Sequence, residues 1–224
     1  MKLLVIVPAF NEQDSILNTI EDIKTNAPFA DYLVINDCST DNTQKLLIEN
    51  EINHISLPVN LGLSGAIQTG FKYAFVNGYD CAIQFDGDGQ HSAKYINKML
   101  EQLNMGYDIV IGSRFVDFKK PWSLRMIGSR VIGSLIRLTT RKSIKDPTSG
   151  MRLFNRKMIY DFGYNMNRRP EPDTIVYQLR HGAKISEVQV EMNERYAGES
   201  IYSGLFSSFK YMLSMVTSIL FLSY

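Results

Sequence analysis

Cysteine is almost missing from this sequence. Cys38 and Cys81 are the only two in 224 residues, too few for a disulfide framework, and a reducing compartment is the expected setting. A secretory leader is not expected either, because the apolar run Leu3 to Val7 is too short for one and Pro8 stops it. No run reaches the ~18 apolar residues that a membrane-spanning helix needs. The net charge of +1 excludes a nucleic-acid binder that works through a globally basic surface. Repeats, low-complexity tracts and linkers are also absent. The expectation is therefore one domain over residues 1–200, with residues 201–224 appended as an amphipathic helix.

Hydrophobic patterning supplies the fold class. Leu3 to Val7 reads as a buried parallel strand. Asp14 is placed to cap a helix whose Ile16, Leu17, Ile20 and Ile23 share a face. Tyr32 to Asn36 is the next strand, and Thr40 or Asp41 opens a helix that turns Leu46 and Leu47 inward. Ile55 to Leu57, Cys81 to Phe85 and Ile109 to Ile111 follow as strands. Between them lie helices carrying Leu63, Ala66, Ile67, Gly70, Phe71 and Ala74, and then Ile96 to Leu103. This alternation predicts an α/β fold: a mainly parallel, Rossmann-like sheet flanked by helices on both faces. Later, residues 122–140 read as a basic amphipathic helix, and Val188, Val190 and Met192 as a half-exposed strand.

The polar residues collect where the strands end. These loops are Pro8-Ala9-Phe10-Asn11-Glu12, Asn36-Asp37-Cys38-Ser39-Thr40-Asp41, Asn60-Leu61-Gly62 and Asp86-Gly87-Asp88-Gly89-Gln90-His91. One such loop reads equally well as a turn before a helix. Four on the carboxyl edge of one sheet read as a ligand site. Asp86 and Asp88 are the sharpest pair: two carboxylates leaving a buried strand can hold one divalent cation. Mg²⁺ or Mn²⁺ is expected, since these ions take few carboxylates and leave room for substrate phosphates. The ligand spacing of a calcium-binding helical loop is absent.

These motifs, with Gly112-Ser113-Arg114, Asp146-Pro147-Thr148-Ser149-Gly150, Arg195 and Gly198-Glu199-Ser200, resemble family 2 inverting glycosyltransferases of the GT-A fold. Within that family the sequence is most similar to dolichol- and polyprenyl-phosphate glycosyltransferases. The resemblance spans roughly residues 3–200. It implies that Pro8, Phe10 and Glu12 border a nucleoside and that Asp37 binds its base, with Asn60 and Gly62 in the same donor site. It also implies that Asp86 lies near ribose and metal, that Asp88 ligates the metal, and that Gln90 supports metal and phosphate. Arg114 and Arg195 would hold phosphate oxygens, which suits arginine's forked donors, and Arg125 or Arg130 would reach an acceptor phosphate. An anionic lipid-phosphate acceptor needs no strong base. An alcohol acceptor needs one, for which Asp146, Glu171 and Asp173 are the candidates, Asp173 first. Ile201 stands where similar enzymes commonly place a lysine.

The chain is basic in one stretch. Lys119, Lys120, Arg125, Arg130, Arg137, Arg141, Lys142 and Lys145 occur with no acidic residue between them, a field suited to phosphates or an anionic membrane. From 203 to 224, Leu205, Phe209, Met212, Leu213, Val216, Ile219 and Leu220 recur at helical spacing, with Ser207, Lys210, Ser214 and Ser218 opposite. The pattern predicts a helix lying in a bilayer interface, with packing on the core or at a dimer contact as the alternative. The expected partners are a nucleotide-diphosphate sugar, a polyprenyl phosphate and a membrane surface, with no nucleic acid. The expected location is cytoplasmic, peripheral on the inner membrane face. A small integral membrane partner and self-association stay open. Transfer to a hydroxyl of a growing glycan and a non-catalytic nucleotide-sugar-binding role are the alternatives. A nucleotidyltransferase would show a glycine-rich, lysine-bearing loop after the first strand, and Pro8 to Glu12 is not one.

Overall fold

The computed structural model describes residues 1–165, 171–192 and 205–221. Among these, seven strands form one sheet: β1 (Leu3–Ala9), β2 (Asp31–Asn36), β3 (His54–Ser56), β4 (Cys81–Gln84), β5 (Ile109–Ser113), β6 (Arg152–Asn155) and β7 (Ile185–Gln189), in the order β3-β2-β1-β4-β6-β5-β7. The helices are α1 (Ile16–Asn26), α2 (Thr43–Glu49), α3 (Gly62–Val76), α4 (Ile96–Asn104), α5 (Leu124–Thr140), α6 (Arg156–Tyr160), α7 (Pro172–Arg180) and α8 (Leu205–Phe221). The sheet is mainly parallel, as the patterning predicts. Its exception is β6, antiparallel to both β4 and β5. Four residues with one turn signal are too short for periodicity to reveal, so β6 is missed from sequence, as are α6 and α7.

Strand residues alternate between the two faces. Leu4 and Ile6 join Phe71, Ile132, Phe154, Ile175, Met215 and Ile219 in one core. Leu3, Val5 and Val7 join Ile16, Ile20, Ile83, Ile96 and Met99 in the other. Several details depart from the sequence reading. The N-cap of α2 is Asn42, not Thr40 or Asp41, and β7 ends at Gln189, short of Val190 and Met192. The N-cap of α1 is Ser15, not Asp14, and it makes no side-chain cap bond; its hydroxyl instead donates to Glu12 Oε2 at 2.7 Å. On α8, Ser218 belongs to the buried face, not the polar one: it is enclosed beside Met215 and Ile219, while Leu213 and Leu220 are exposed. Among the described residues no helix is long and apolar enough to cross a membrane.

The order of the strands positions the site. From β1 the chain builds outward through β2 and β3, then returns to place β4 on the other side. That reversal leaves a crevice at the carboxyl edge between β1 and β4. Pairing of β1 with β4 ends at Ile6 opposite Gln84, whereas pairing with β2 continues to Ala9 opposite Asn36. The β4 chain therefore turns away into residues 86–91 while β1 runs on beside it.

Candidate active site

The two loops after β1 and β2 are tied to each other by side chains. Asn11 Oδ1 accepts from Thr40 N at 2.8 Å, and Ser39 Oγ accepts from Asn11 N at 3.0 Å. Asp41 Oδ2 accepts from Gln13 N at 3.1 Å, and Thr43 Oγ1 from Glu12 N at 2.9 Å. Asn11 and Cys38 take positive φ, of 57° and 58°, and these bonds offset the cost of that conformation. Buried Asp37 reaches the third loop, where its Oδ1 accepts from Leu61 N at 2.7 Å, and Asn60 Oδ1 accepts from Gly62 N at 3.0 Å. Gly62 has φ +71°, which favours glycine. Phe10 is exposed at the rim, while Pro8 is buried within β1 and presents its carbonyl toward Gly87.

The 86–91 loop closes on itself. His91 is buried and its Nδ1 accepts from Asp86 N at 3.0 Å. Its Nε2 lies 3.7 Å from Asp86 Oδ2, and its ring packs edge-on against Phe85. Asp88 is 6% exposed, and its Oδ1 accepts from Gln90 N at 3.1 Å. Gln84 Nε2 donates to Asp86 Oδ1 at 3.3 Å, and Gln84 Oε1 is buried with no hydrogen-bond partner among the described residues. Gly150 closes the far side: a Cβ there would stand 2.5 Å from Asp86 Oδ2. The donors fit a hard divalent ion, with the two carboxylates Asp86 and Asp88 and an orphan amide oxygen adjoining. No cluster of three His, Cys, Asp or Glu side chains occurs among the described residues, so such an ion would take its other ligands from substrate and water.

Arg114 leaves the carboxyl end of β5 on the same edge. The family resemblance implies that it holds phosphate, and the structure gives it a partner from among the candidate bases. Asp146, a candidate base, is fully buried and receives Arg114 Nε at 2.7 Å and Nη2 at 2.8 Å. Burial pushes its carboxyl up, but the hydrogen bonds and charge of Arg114, with Lys120 behind them, more than reverse this and hold it below the ordinary carboxylate range. Both Asp146 carboxylate oxygens are thereby committed to Arg114.

Asp173, the first of the candidate bases, lies in the first turn of α7. That helix returns to β7 through residues 181–184, and β7 parallels β5, so its first turn lies toward the carboxyl edge of the sheet. Asp173 is buried: Oδ1 accepts from Thr174 N at 2.8 Å and Oδ2 from Ser218 Oγ at 2.7 Å. Arg195 and the 198–200 element lie outside the described residues. Arg130 stacks on Trp122, 4.6 Å from the ring centre, and its Nη2 donates to Lys120 O.

Residues 4–163 match the family described as Glycosyl transferase family 2. The chain belongs to that family. It is a glycosyltransferase with the mixed α/β, mostly parallel sheet of its structural neighbours. It is 30% identical to an undecaprenyl-phosphate mannosyltransferase of Micrococcus luteus, over 91% of this chain and 88% of that protein. It is 31% identical to a dolichol-phosphate mannosyltransferase of Pyrococcus furiosus, over 91% of this chain and 60% of that one. In fold it is similar to glucosyl-3-phosphoglycerate synthase from Mycobacterium tuberculosis, solved with Mn²⁺, UDP-glucose and phosphoglyceric acid. There the TM-score is 0.75 at 16% identity, covering 100% of this chain and 81% of that one.

Proposed function

We propose that this glycosyltransferase moves a sugar from a nucleotide-diphosphate sugar to a polyprenyl phosphate, inverting the anomeric carbon in one in-line displacement. The observation that carries the reading is the surface next to the cationic side of the crevice. Beyond Arg114 the chain enters the acid-free stretch that contains α5. Trp122 (86% exposed) and Leu138 (76% exposed) stand in water there, and with Ile127, Arg130 and Val131 they line an open groove of about 350 Å³. Large exposed apolar side chains among basic ones suit an anionic bilayer that holds a lipid acceptor. The printed names of the relatives support the same acceptor class.

In this reading Asp37, Phe10, Pro8, Glu12, Asn60 and Gly62 form the nucleoside side. Asp86 and Asp88 hold Mg²⁺ or Mn²⁺ with support from Gln90. When bound, the ion supplies Lewis acidity at the leaving diphosphate. Arg114 and Arg195 donate to phosphate oxygens as charge develops on them. The acceptor phosphate is already anionic, so no base is required, in accord with the engagement of Asp146 by Arg114. Transfer to an alcohol is the second reading. It would call on Asp173, whose buried position at the catalytic edge favours it over Glu171.

The test is incubation of the purified chain with Mn²⁺, labelled UDP- or GDP-sugars and undecaprenyl phosphate in anionic vesicles. An acid-labile lipid monophosphate sugar is expected. Label appearing only in hydroxyl-linked glycan, or only as free sugar, would overturn the lipid-phosphate reading.

A further inference from the structure

Asp146 has no step in the reaction above, yet the fold spends much on it. Burying a carboxylate and a guanidinium costs desolvation that their attraction only roughly offsets, and an apolar pair would stabilise the fold as well. What an ion pair gives that an apolar pair does not is direction. Arg114 Nε and backbone N both donate to Asp146 Oδ2, at 2.7 and 3.1 Å, and Nη2 donates to Oδ1 at 2.8 Å. Thr148 Oγ1 stands 3.5 Å from Nη2. One edge of the guanidinium is thereby occupied. Among the described residues Nη1 donates to nothing, on a side chain 20% exposed.

The backbone that carries this carboxylate is held from behind. Glu187 on β7 accepts from Asp146 N at 2.7 Å and from Lys145 N at 2.6 Å. Two residues on, and so on the same side of the strand, Gln189 accepts from Asp117 N at 2.9 Å and donates to Arg114 O at 3.1 Å. Thus β7 clasps the loops that carry Arg114 and Asp146. An arginine fixed in this way has lost its rotamer freedom on folding and does not lose it again when an anion binds.

We infer that Asp146 is a positioning residue, locked in place by Glu187, that presents the Nη1 edge of Arg114 to the donor diphosphate. The identity of that anion rests on the proposed function. The positioning itself does not.

The experiment compares UDP with uridine, each with Mn²⁺, on wild type, Asp146→Asn, Arg114→Ala and the double variant. GDP and guanosine are run in parallel. Asp146→Asn should weaken diphosphate binding by about tenfold to a hundredfold, the range of a lost charge-assisted contact, and leave nucleoside binding unchanged. The double variant should bind no worse than Arg114→Ala alone, because Asp146 acts through Arg114. Equal losses for nucleoside and diphosphate, or additive losses in the double variant, would overturn the inference. Should Asp146→Asn fail to fold, Glu187→Gln is read instead, with the same selectivity and a smaller loss expected. The free protein gives an independent reading. The Arg114 Nε–H should exchange slowly with solvent in wild type and rapidly in Asp146→Asn or Glu187→Gln. Unchanged exchange would overturn the inference even with the nucleotide data in its favour. If wild type binds neither nucleotide, the proposed function falls, and the exchange rates still decide the role of Asp146.

Discussion

The two halves of the sheet's carboxyl edge are built differently. On the β1–β3 side, adjacent loops hold one another through short polar side chains on neighbouring backbone N–H groups, as Asn11, Ser39, Asp41 and Thr43 do. On the β5–β7 side a buried ion pair and a strand carboxylate bind three segments far apart in sequence: Arg114, Asp146 and Glu187. The first half is a set of successive βα units whose contacts arise within each unit or the next. The second depends on β6 running backwards to bring residues 146–150 to the edge. The β1–β3 loops can thus be assembled from local rules, whereas the opposite wall needs long-range charge to fix its geometry.

Four perturbations probe this contrast, from the largest expected effect to the smallest. Asp88→Asn should cut transfer on the order of 10²-fold or more, as loss of charge stabilisation at a leaving group does, while the Arg114–Asp146 clasp and the melting temperature persist. Turnover near wild type at saturating Mn²⁺ would remove Asp88 from the site. A chain ending before Leu205 should lose the burial of Met215 and Ile219, each worth about 1.5–3 kcal/mol. Its melting temperature should fall, with hydrogen exchange rising first in α5 and α7. If stability is unchanged and only vesicle binding is lost, α8 serves the membrane and not the second half.

Gly150→Ala places a Cβ against Asp86 Oδ2 at the joint between the halves. A cost of about 1–3 kcal/mol is expected, together with weaker Mn²⁺ binding by calorimetry; intact metal binding would show that the loop yields freely. The smallest effect concerns acid. The Asp146 carboxyl is depressed in the folded state, so its contribution to stability is complete above the unfolded value of about 3.9 and is lost as pH falls through the lower folded value. In an acid titration, amides of β5 and β7 should lose protection before those of β1 and β2, and Asp146→Asn should remove that difference. Simultaneous loss in wild type would mean that the clasp does not set the acid response.

The same contrast explains what could be read from the chain. Repeated strand–helix periods located β1 to β5 and α1 to α5, and with them the placement of Asp37, Asp86 and Asp88 after the carboxyl ends of β2 and β4. The cap of α1 is not separable from sequence because Asp14 and Ser15 are both good cap residues one position apart, and the Ser15 hydroxyl turns back to nearby Glu12 and caps nothing. The partnership of Asp146 with Arg114 was not legible, since nothing in a spacing of 32 residues tells a carboxylate that abstracts a proton from one that steadies a guanidinium. Glu187 was missed for the same reason. Its only signal is an acid on a strand that shares a side with Gln189. The role of Ser218 was hidden by helical periodicity, which groups it with the exposed serines.

The backward strand also sets an order of assembly. Cys81 finds its β6 partner Asn155 only after another 155 − 81 = 74 residues, whereas Leu4 finds Asp31 after 31 − 4 = 27. Closing the longer loop costs more entropy and is slower. During synthesis the β1–β3 ladder can therefore be complete while β5 still waits for β6 and β7. Pulse-labelled exchange during refolding should show β1 and β2 amides protected ahead of those in β5, and protection arising together would refute this order. A newly made chain would then have its β1–β3 loops tied together before Arg114 acquires its clasp, and the carboxyl edge would be complete only when the last strand is seated.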